Sequence, residues 1–137
     1  MFKLSSELTF PWPVKVIEPD PKHAGKLIEH EFQVIFAIMD PDDAKRSAEE
    51  RRAILARMKP ETELDELKDI QAELAAHDEK ALRAVVRGWN DIVDEDGKPI
   101  KFTDVTFRAA YAHERVKVAF IRAYEEAISQ DKARLGN

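Results

Sequence analysis

The chain has 137 residues, enough for one domain that can bury a core without disulfides or a structural metal. It has no cysteine, which excludes disulfides, thiolate nucleophiles and cysteine-type zinc sites and suits an intracellular protein. Charged residues make up 36%, but the signs are mixed and the net charge is only -5, so nucleic acid is not an expected partner. No run is apolar enough to cross a membrane, and the N-terminus lacks the regions of a signal peptide. We therefore expect a cytoplasmic protein without a membrane partner.

Residues 1–39 are predicted to be rich in β-structure, although they contain four of the seven prolines. Leu8–Phe10 and Val14–Ile17 are expected to be short extended segments, because each proline removes a backbone donor and favours edges and loops. From Leu27 to Met39 apolar residues alternate with others, which predicts a strand that is half exposed at first and buried on both faces later. With Asp20–Gly25 as the loop, these segments predict a β-hairpin or small antiparallel sheet.

The residues that follow are predicted to be mainly helical. Asp40–Asp43 supplies an N-cap, a proline at the first helical position and acidic residues for a helix that reaches about Met58 and carries only a thin apolar stripe. A second helix is expected to begin at a Thr62 cap, with a possible bend near His77, and to end in the periodic run that closes at Trp89.

Two further amphipathic helices are expected towards the C-terminus. The first begins at an N-cap residue, Thr103, and the second includes residues 116–128, with a fraying tail over residues 131–137. The predicted fold class is α+β, in which a β-rich part at 1–39 packs on a helical part at 40–137 with about four helices. Residues 1–137 are expected to form a single domain.

The acidic run Asp94–Gly97 invites comparison with a calcium-binding EF-hand loop. When Gly97 is placed at the sixth loop position, Ile92 falls at the first and Thr103 at the twelfth, where aspartate and glutamate should stand. Two essential oxygen ligands are therefore missing. We expect a hydrogen-bonded turn rather than a calcium site.

No group of residues predicts catalysis. The histidines are scattered without metal-ligand spacing, and only one of them lies in a predicted strand, where we expect it to be partly buried. They are His23, His30, His77 and His113, of which His30 is the one in the strand. No serine or threonine stands in a nucleophile elbow, and the four glycines form no phosphate-binding loop. We expect no enzyme activity, metal or cofactor.

Trp89 is the most informative single residue, because an indole buries a large surface and its N–H needs a partner, expected near Asn90 and Asp91. The favoured interpretation is core packing. The alternative is a groove for an apolar peptide or a neighbouring subunit. Its walls would be Trp89, Val93, Ile100 and Phe102.

The segment Gly88–Thr103, GWNDIVDEDGKPIKFT, resembles a segment common in phage tail assembly chaperones. Its shared features are a helix ending in Gly-Trp, an acidic turn with glycine, and a Pro-x-x-Phe-Thr helix start. Residues 116–137, with the helix VKVAFIRAYEEAI, are similar to the C-terminal helix of those proteins. The resemblance covers about the C-terminal half, and its motifs are structural rather than catalytic.

This resemblance implies a non-enzymatic protein of the host cytoplasm that binds and solubilises the tape measure protein and helps recruit tail tube subunits. Some members of the family also have a longer form made by ribosomal frameshifting, and this chain would be the short form. A helical protein with apolar grooves suits helix-in-groove binding of many similar segments. The partner-binding candidates are Trp89, Val93, Asp94, Glu95, Asp96, Ile100 and Phe102.

Two other classes of function stay open from the sequence. One is a structural head-tail connector or tail component that is retained in the virion. The other is a small hydrolase or metal-dependent enzyme with ligands from scattered acidic residues. Whichever function applies, a homo-oligomer is expected, because the thin apolar stripe of Ala44–Met58 and the strand edges near the prolines are surfaces that a second copy could cover.

Overall fold

The computed structural model describes residues 1–4 and 7–129. Its elements are β1 (Thr9–Pro19), β2 (Leu27–Ala37), α1 (Pro41–Ala56), α2 (Leu64–Val85), β3 (Val86–Asn90), α3 (Asp104–Tyr111) and α4 (Glu114–Ile128). The predicted α+β class, with a small antiparallel sheet and four helices, is confirmed within these residues. Contacts divide the chain into two compact units, one of residues 1–38 and 86–137 and one of residues 39–85. The tail predicted to fray lies outside the described residues.

The β1–β2 hairpin is present as predicted, with the two strands paired antiparallel over their full lengths. The backbone N–H of Asp20 donates to the Lys26 carbonyl at 2.9 Å and closes the connection. Gly25 adopts φ +77°, a conformation that costs glycine little. The predicted loop at Asp20–Gly25 is therefore confirmed.

The prolines do not divide β1 into two short segments as predicted, since β1 is one strand of 11 residues. The sheet order β1-β2-β3 places it at an edge, which was expected. Pro11, Pro13 and Lys15 occupy alternate positions of β1. Their backbone N and C=O groups therefore point to the same edge of the strand. The Lys15 carbonyl accepts a hydrogen bond from Arg122 on α4, outside the sheet. The N–H groups that Pro11 and Pro13 lack would therefore lie on the outer edge of β1. That edge makes no hydrogen bonds to β2, so the prolines do not weaken the pairing of the two strands.

One face of the sheet forms the core of the first unit. The buried apolar side chains on that face include Val14 and Val16 of β1 and Phe32, Val34 and Phe36 of β2. Helix α4 packs on this face, with the Phe120 ring 5.6 Å from Phe32 and the Tyr124 ring 5.3 Å from Phe36. Edge-to-face contacts of this kind favour aromatic pairs beyond their buried area.

The two ends of β2 differ as the sequence predicts. Its first part alternates between exposed and covered positions, whereas Phe36 and Ala37 at its end are both buried. The expectation for His30 is wrong, because this side chain is 56% exposed and lies 3.3 Å from the Glu18 carboxylate.

The second unit contains α1 and α2. Asp40 caps α1 as predicted, since its side chain accepts from the Asp42 N–H and a proline occupies the first turn. No residue of α1 is buried. The Thr62 side chain accepts from the Lys59 N–H at 2.8 Å, so it stabilises a turn rather than capping α2. Helix α2 runs for 22 residues and passes His77 without interruption.

The prediction that this helix continues to Trp89 is wrong, because α2 ends at Val85 and a strand, β3, follows. The register between β2 and β3 shifts at Ile35 and Phe36, so Val86 pairs with Phe36 while Trp89 pairs with Val34. One extra residue in β3 therefore brings Val86 and Trp89 to the same buried face although they are three positions apart. That spacing imitates a helical period, which explains the error.

Candidate partner-binding site

Trp89 lies in the core of the first unit, where its indole makes both an aromatic contact and a hydrogen bond. Its side chain is only 8% exposed, and its ring meets Phe102 edge to face at 5.1 Å. Its Nε1–H donates to the Ile100 carbonyl at 2.7 Å, rather than to a group near Asn90. This bond joins β3 to the segment before α3.

The aromatic contacts continue from Trp89 into the interior. Phe102 lies 6.2 Å from Phe107, which in turn lies 5.6 Å from Tyr111 and 5.6 Å from Phe120. Phe107 and Phe120 are at most 2% exposed. The structure therefore favours core packing for Trp89, which was the first of the two interpretations.

The acidic run forms a closed turn at the tip of a small irregular hairpin. The Asp94 carboxylate accepts from the N–H groups of Asp96 and Lys98, each at 2.9 Å. The Asp94 backbone N–H donates to the Lys98 carbonyl at 2.8 Å, and Gly97 adopts φ +78°. The hydrogen-bonded turn is confirmed, and Asp94 is the side chain that holds it together.

The seven partner-binding candidates divide into three environments. Trp89 is buried, and Ile100 and Phe102 are half-buried beside it. Glu95, Asp96 and Val93 are exposed, Val93 by 53%. Asp94 is exposed as well, but it forms the turn. Among the candidates, the side chains of this turn that are open to solvent without holding it together are therefore two carboxylates and one apolar side chain.

A second feature of the first unit was not predicted from the sequence. A groove of about 330 Å³ lies between the outer edge of β1 and α4. Its lining residues are Trp12, Pro13, Lys15, Ala119, Arg122, Ala123 and Glu126. The available signals were a tryptophan between two prolines and two alanines at helical spacing, and neither indicates that the two elements meet.

The second unit contains a serine, a histidine and a carboxylate in the order of a hydrolase triad. Ser47 Oγ is 3.3 Å from His77 Nε2, and His77 Nδ1 is 3.7 Å from the Glu50 carboxylate. Acyl transfer also needs donors for the developing oxyanion, but Ser47 lies inside α1, where backbone N–H groups are used by the helix. This cluster therefore links α1 to α2, and the helical backbone around Ser47 offers it no oxyanion donor.

Comparisons with protein-family models, with curated proteins and with solved structures found no match. Over residues 1–4 and 7–129, no three histidine, aspartate or glutamate side chains are grouped so as to hold a metal ion. In the same part of the chain, no helix combines the length and the apolar character that crossing a membrane requires.

Proposed function

We propose that this chain is a non-enzymatic phage tail assembly chaperone of the host cytoplasm. It would bind and solubilise the tape measure protein, help recruit tail tube subunits and act as an oligomer. The observation that carries the proposal is the resemblance of residues 88–103 and 116–137 to segments of that family. One shared feature is absent, because the Gly-Trp pair ends a strand here instead of a helix.

The exposed tip of the acidic turn supports this proposal as a place for partner contact. Glu95 and Asp96 extend from a turn that Asp94 and Gly97 hold in one shape, so little conformational entropy is lost when a partner binds. Val93 adds exposed apolar surface next to them. Many weak contacts of this kind suit a long repetitive partner, because multivalency compensates for modest affinity.

Co-expression with the cognate tape measure protein is the direct test. We expect the tape measure protein to stay soluble and to elute from gel filtration in a complex with many copies of this chain. The double variant Glu95→Lys and Asp96→Lys should weaken that complex and leave the unfolding midpoint almost unchanged, since neither side chain holds the turn. The matched control is Glu61→Lys with Asp69→Lys, which changes the net charge equally at other exposed positions.

A tape measure protein that is equally soluble without this chain, with no complex on gel filtration, would refute the proposal. The structural alternative makes the opposite prediction about the finished particle. A chaperone should be absent from purified virions, whereas a head-tail connector or tail component should be retained there.

A further inference from the structure

Asp96 is the only aspartate of the chain that is directly followed by glycine. An aspartate in this position can rearrange without an enzyme, because the backbone nitrogen of the next residue can attack the side-chain carboxyl carbon. Glycine permits this approach best, since it carries no side chain beside that nitrogen. Asp96 and Gly97 are both exposed, so water reaches the pair. The two residues therefore have the chemistry for a spontaneous modification.

The rearrangement has two steps and needs no reactant other than water. In the first step the Gly97 nitrogen loses its proton and bonds to Cγ of Asp96, and the carboxyl hydroxyl leaves with that proton as water. In the second step water adds to the backbone carbonyl carbon of the cyclic imide, and the bond from that carbon to the nitrogen breaks. The chain then runs through the side chain of residue 96 as isoaspartate, and the former backbone carbonyl is its free carboxylate. One water is lost and one is gained, so the mass does not change.

The folded turn does not place these atoms for ring closure. The Gly97 N–H donates to the Asp94 carbonyl at 3.0 Å, which makes Glu95 and Asp96 the central residues of a β-turn. Neither of them has a positive φ, as in a type I turn, whose second central residue has ψ of about 0°. At that ψ the Gly97 nitrogen eclipses the backbone nitrogen of Asp96, whereas the imide ring requires it to eclipse Cβ. Ring closure therefore needs a large rotation about the Cα–C bond of Asp96, and this rotation breaks the Gly97 hydrogen bond.

The Asp94 carboxylate opposes the same rotation. It accepts from the N–H of Asp96 and from the N–H of Lys98, each at 2.9 Å. These two donors lie on opposite sides of the Cα–C bond of Asp96, so the rotation moves them relative to each other and at least one of the two bonds must break. Hydrogen bonds to a charged acceptor are stronger than those to a neutral one, so this opening is costly.

We propose that Asp96 is a site of spontaneous isoaspartate formation and that Asp94 controls its rate by holding the turn closed. The pair reacts slowly in the folded protein and as fast as in a flexible peptide when the turn opens. The product adds one carbon to the backbone inside the turn, so the spacing of the N–H groups that donate to Asp94 is lost. Glu95 and the carboxylate of residue 96 then lose their fixed positions. This inference does not depend on the function proposed above.

Incubation at neutral pH followed by peptide mapping tests the proposal. Trypsin releases residues 88–101 as one peptide, because a proline follows Lys98 and blocks cleavage there, and electron-transfer fragmentation assigns isoaspartate to a single residue. We expect isoaspartate at Asp96 to form about tenfold more slowly in the folded protein than in the same protein unfolded in guanidinium chloride. Asp91 and Asp94 lie in the same peptide and should stay unchanged, since a larger residue follows each of them.

Asp94→Ala should accelerate the reaction of the folded protein by about tenfold and leave the rate in guanidinium chloride unchanged, because Asp94 acts through the turn and not on the chemistry. Glu95→Ala is the matched control. It removes an exposed carboxylate that accepts none of the turn hydrogen bonds described above, and it should leave both rates unchanged.

Equal rates in the folded and the unfolded parent, or an Asp94→Ala variant that circular dichroism shows to be folded and that reacts as slowly as the parent, would overturn the proposal. Isoaspartate that forms first at another residue, or none at Asp96 even in guanidinium chloride, would overturn it as well. If Asp94→Ala does not fold, the comparison of the folded and unfolded parent still decides whether the turn controls the rate.

Discussion

Trp89 illustrates how one side chain can combine apolar burial with a specific hydrogen bond. We expect Trp89→Ala to lower the free energy of unfolding by about 3–5 kcal/mol, the range for emptying an aromatic core site. Trp89→Phe keeps most of the volume but removes the donor to the Ile100 carbonyl, so we expect a smaller loss of about 1–2 kcal/mol. Urea unfolding followed by circular dichroism measures both.

Trp12→Ala is the comparison for that series, because Trp12 is only half-buried and its loss should cost less. If Trp89→Ala changed stability by less than about 1 kcal/mol while weakening a partner complex, Trp89 would belong to a binding surface instead of the core.

The ionisation of Asp20 in the hairpin loop is expected to make the stability of the fold depend on pH. The Lys22 N–H, and after it the His23 side chain, donate to its carboxylate and hold the pKa of Asp20 below the ordinary value of 3.8. A carboxyl whose pKa is lower in the folded state stabilises the fold above its unfolded pKa and loses that contribution as the pH falls through the folded pKa. We therefore expect Asp20→Asn to be less stable than the parent at about pH 7 and equal to it in acid.

Urea unfolding of both proteins from about pH 7 down to about pH 3 checks this expectation. A stability difference that stays constant over that range, or grows in acid, would mean that ionisation of Asp20 does not stabilise the loop.

At the level of elements, α3 and α4 begin in different ways. Thr103 and Thr106 form a reciprocal capping box at the start of α3, whereas His113 caps α4 without any side-chain hydrogen bond. We expect His113→Ser to raise the free energy of unfolding by about 0.5–1 kcal/mol, because serine can accept from an N–H of the first turn. Serine is preferred to aspartate, since this position directly follows the negative end of α3.

Thermal or urea unfolding measures the gain, and Thr103→Ala should move stability in the opposite direction by about 1 kcal/mol. If His113→Ser did not raise the free energy of unfolding, the N–H groups in the first turn of α4 would already have other hydrogen-bond partners.

Helix α1 is the element with the weakest attachment in its unit. None of its residues is buried, and its polar links to α2 include the exposed ion pair of Arg51 with Asp78 at 2.9 Å and that of its C-cap residue, Arg57, with Glu73 at 2.6 Å. Such pairs contribute about 1 kcal/mol or less each and weaken with salt. We expect hydrogen exchange to be faster in residues 41–56 than in residues 64–85, and faster still in α1 at high salt. Equal protection of the two helices would contradict this view.

At the scale of the whole molecule, self-association stays a prediction, but the outer edge of β1 is a poor route to it. Pro11 and Pro13 remove donors there, which is how many edge strands avoid pairing with other chains. We expect the double variant Pro11→Thr and Pro13→Thr to form larger assemblies than the parent in light scattering at micromolar concentrations. Pro60→Thr, between α1 and α2, is the control and should not change the assembly size.

A double variant with the same molar mass as the parent would show that another feature protects this edge. A parent protein that is monomeric across the micromolar range would count against self-association altogether.

Residues close together in the sequence were sufficient to predict where several elements begin or turn. Asp40 followed by a proline marks the start of α1, Asp20–Gly25 marks the hairpin loop, and Asp94 with Gly97 marks a turn. Each depends on hydrogen bonds or backbone preferences within a few residues, so the sequence alone determined them. The alternation in β2 likewise predicted which side chains face the core.

Only the tertiary structure decided the features that depend on distant partners. Pairing with β2 and an extra residue in the register turned the stretch around Trp89 into β3, although its apolar spacing suits a helix equally well. The Ile100 carbonyl became the partner of Trp89 because the chain turns back after β3. The β1–α4 groove arises because Trp12 and Ala119, far apart in sequence, meet when α4 packs on the sheet. Local patterns cannot determine such pairings, since long-range contacts are selected by how the whole core packs.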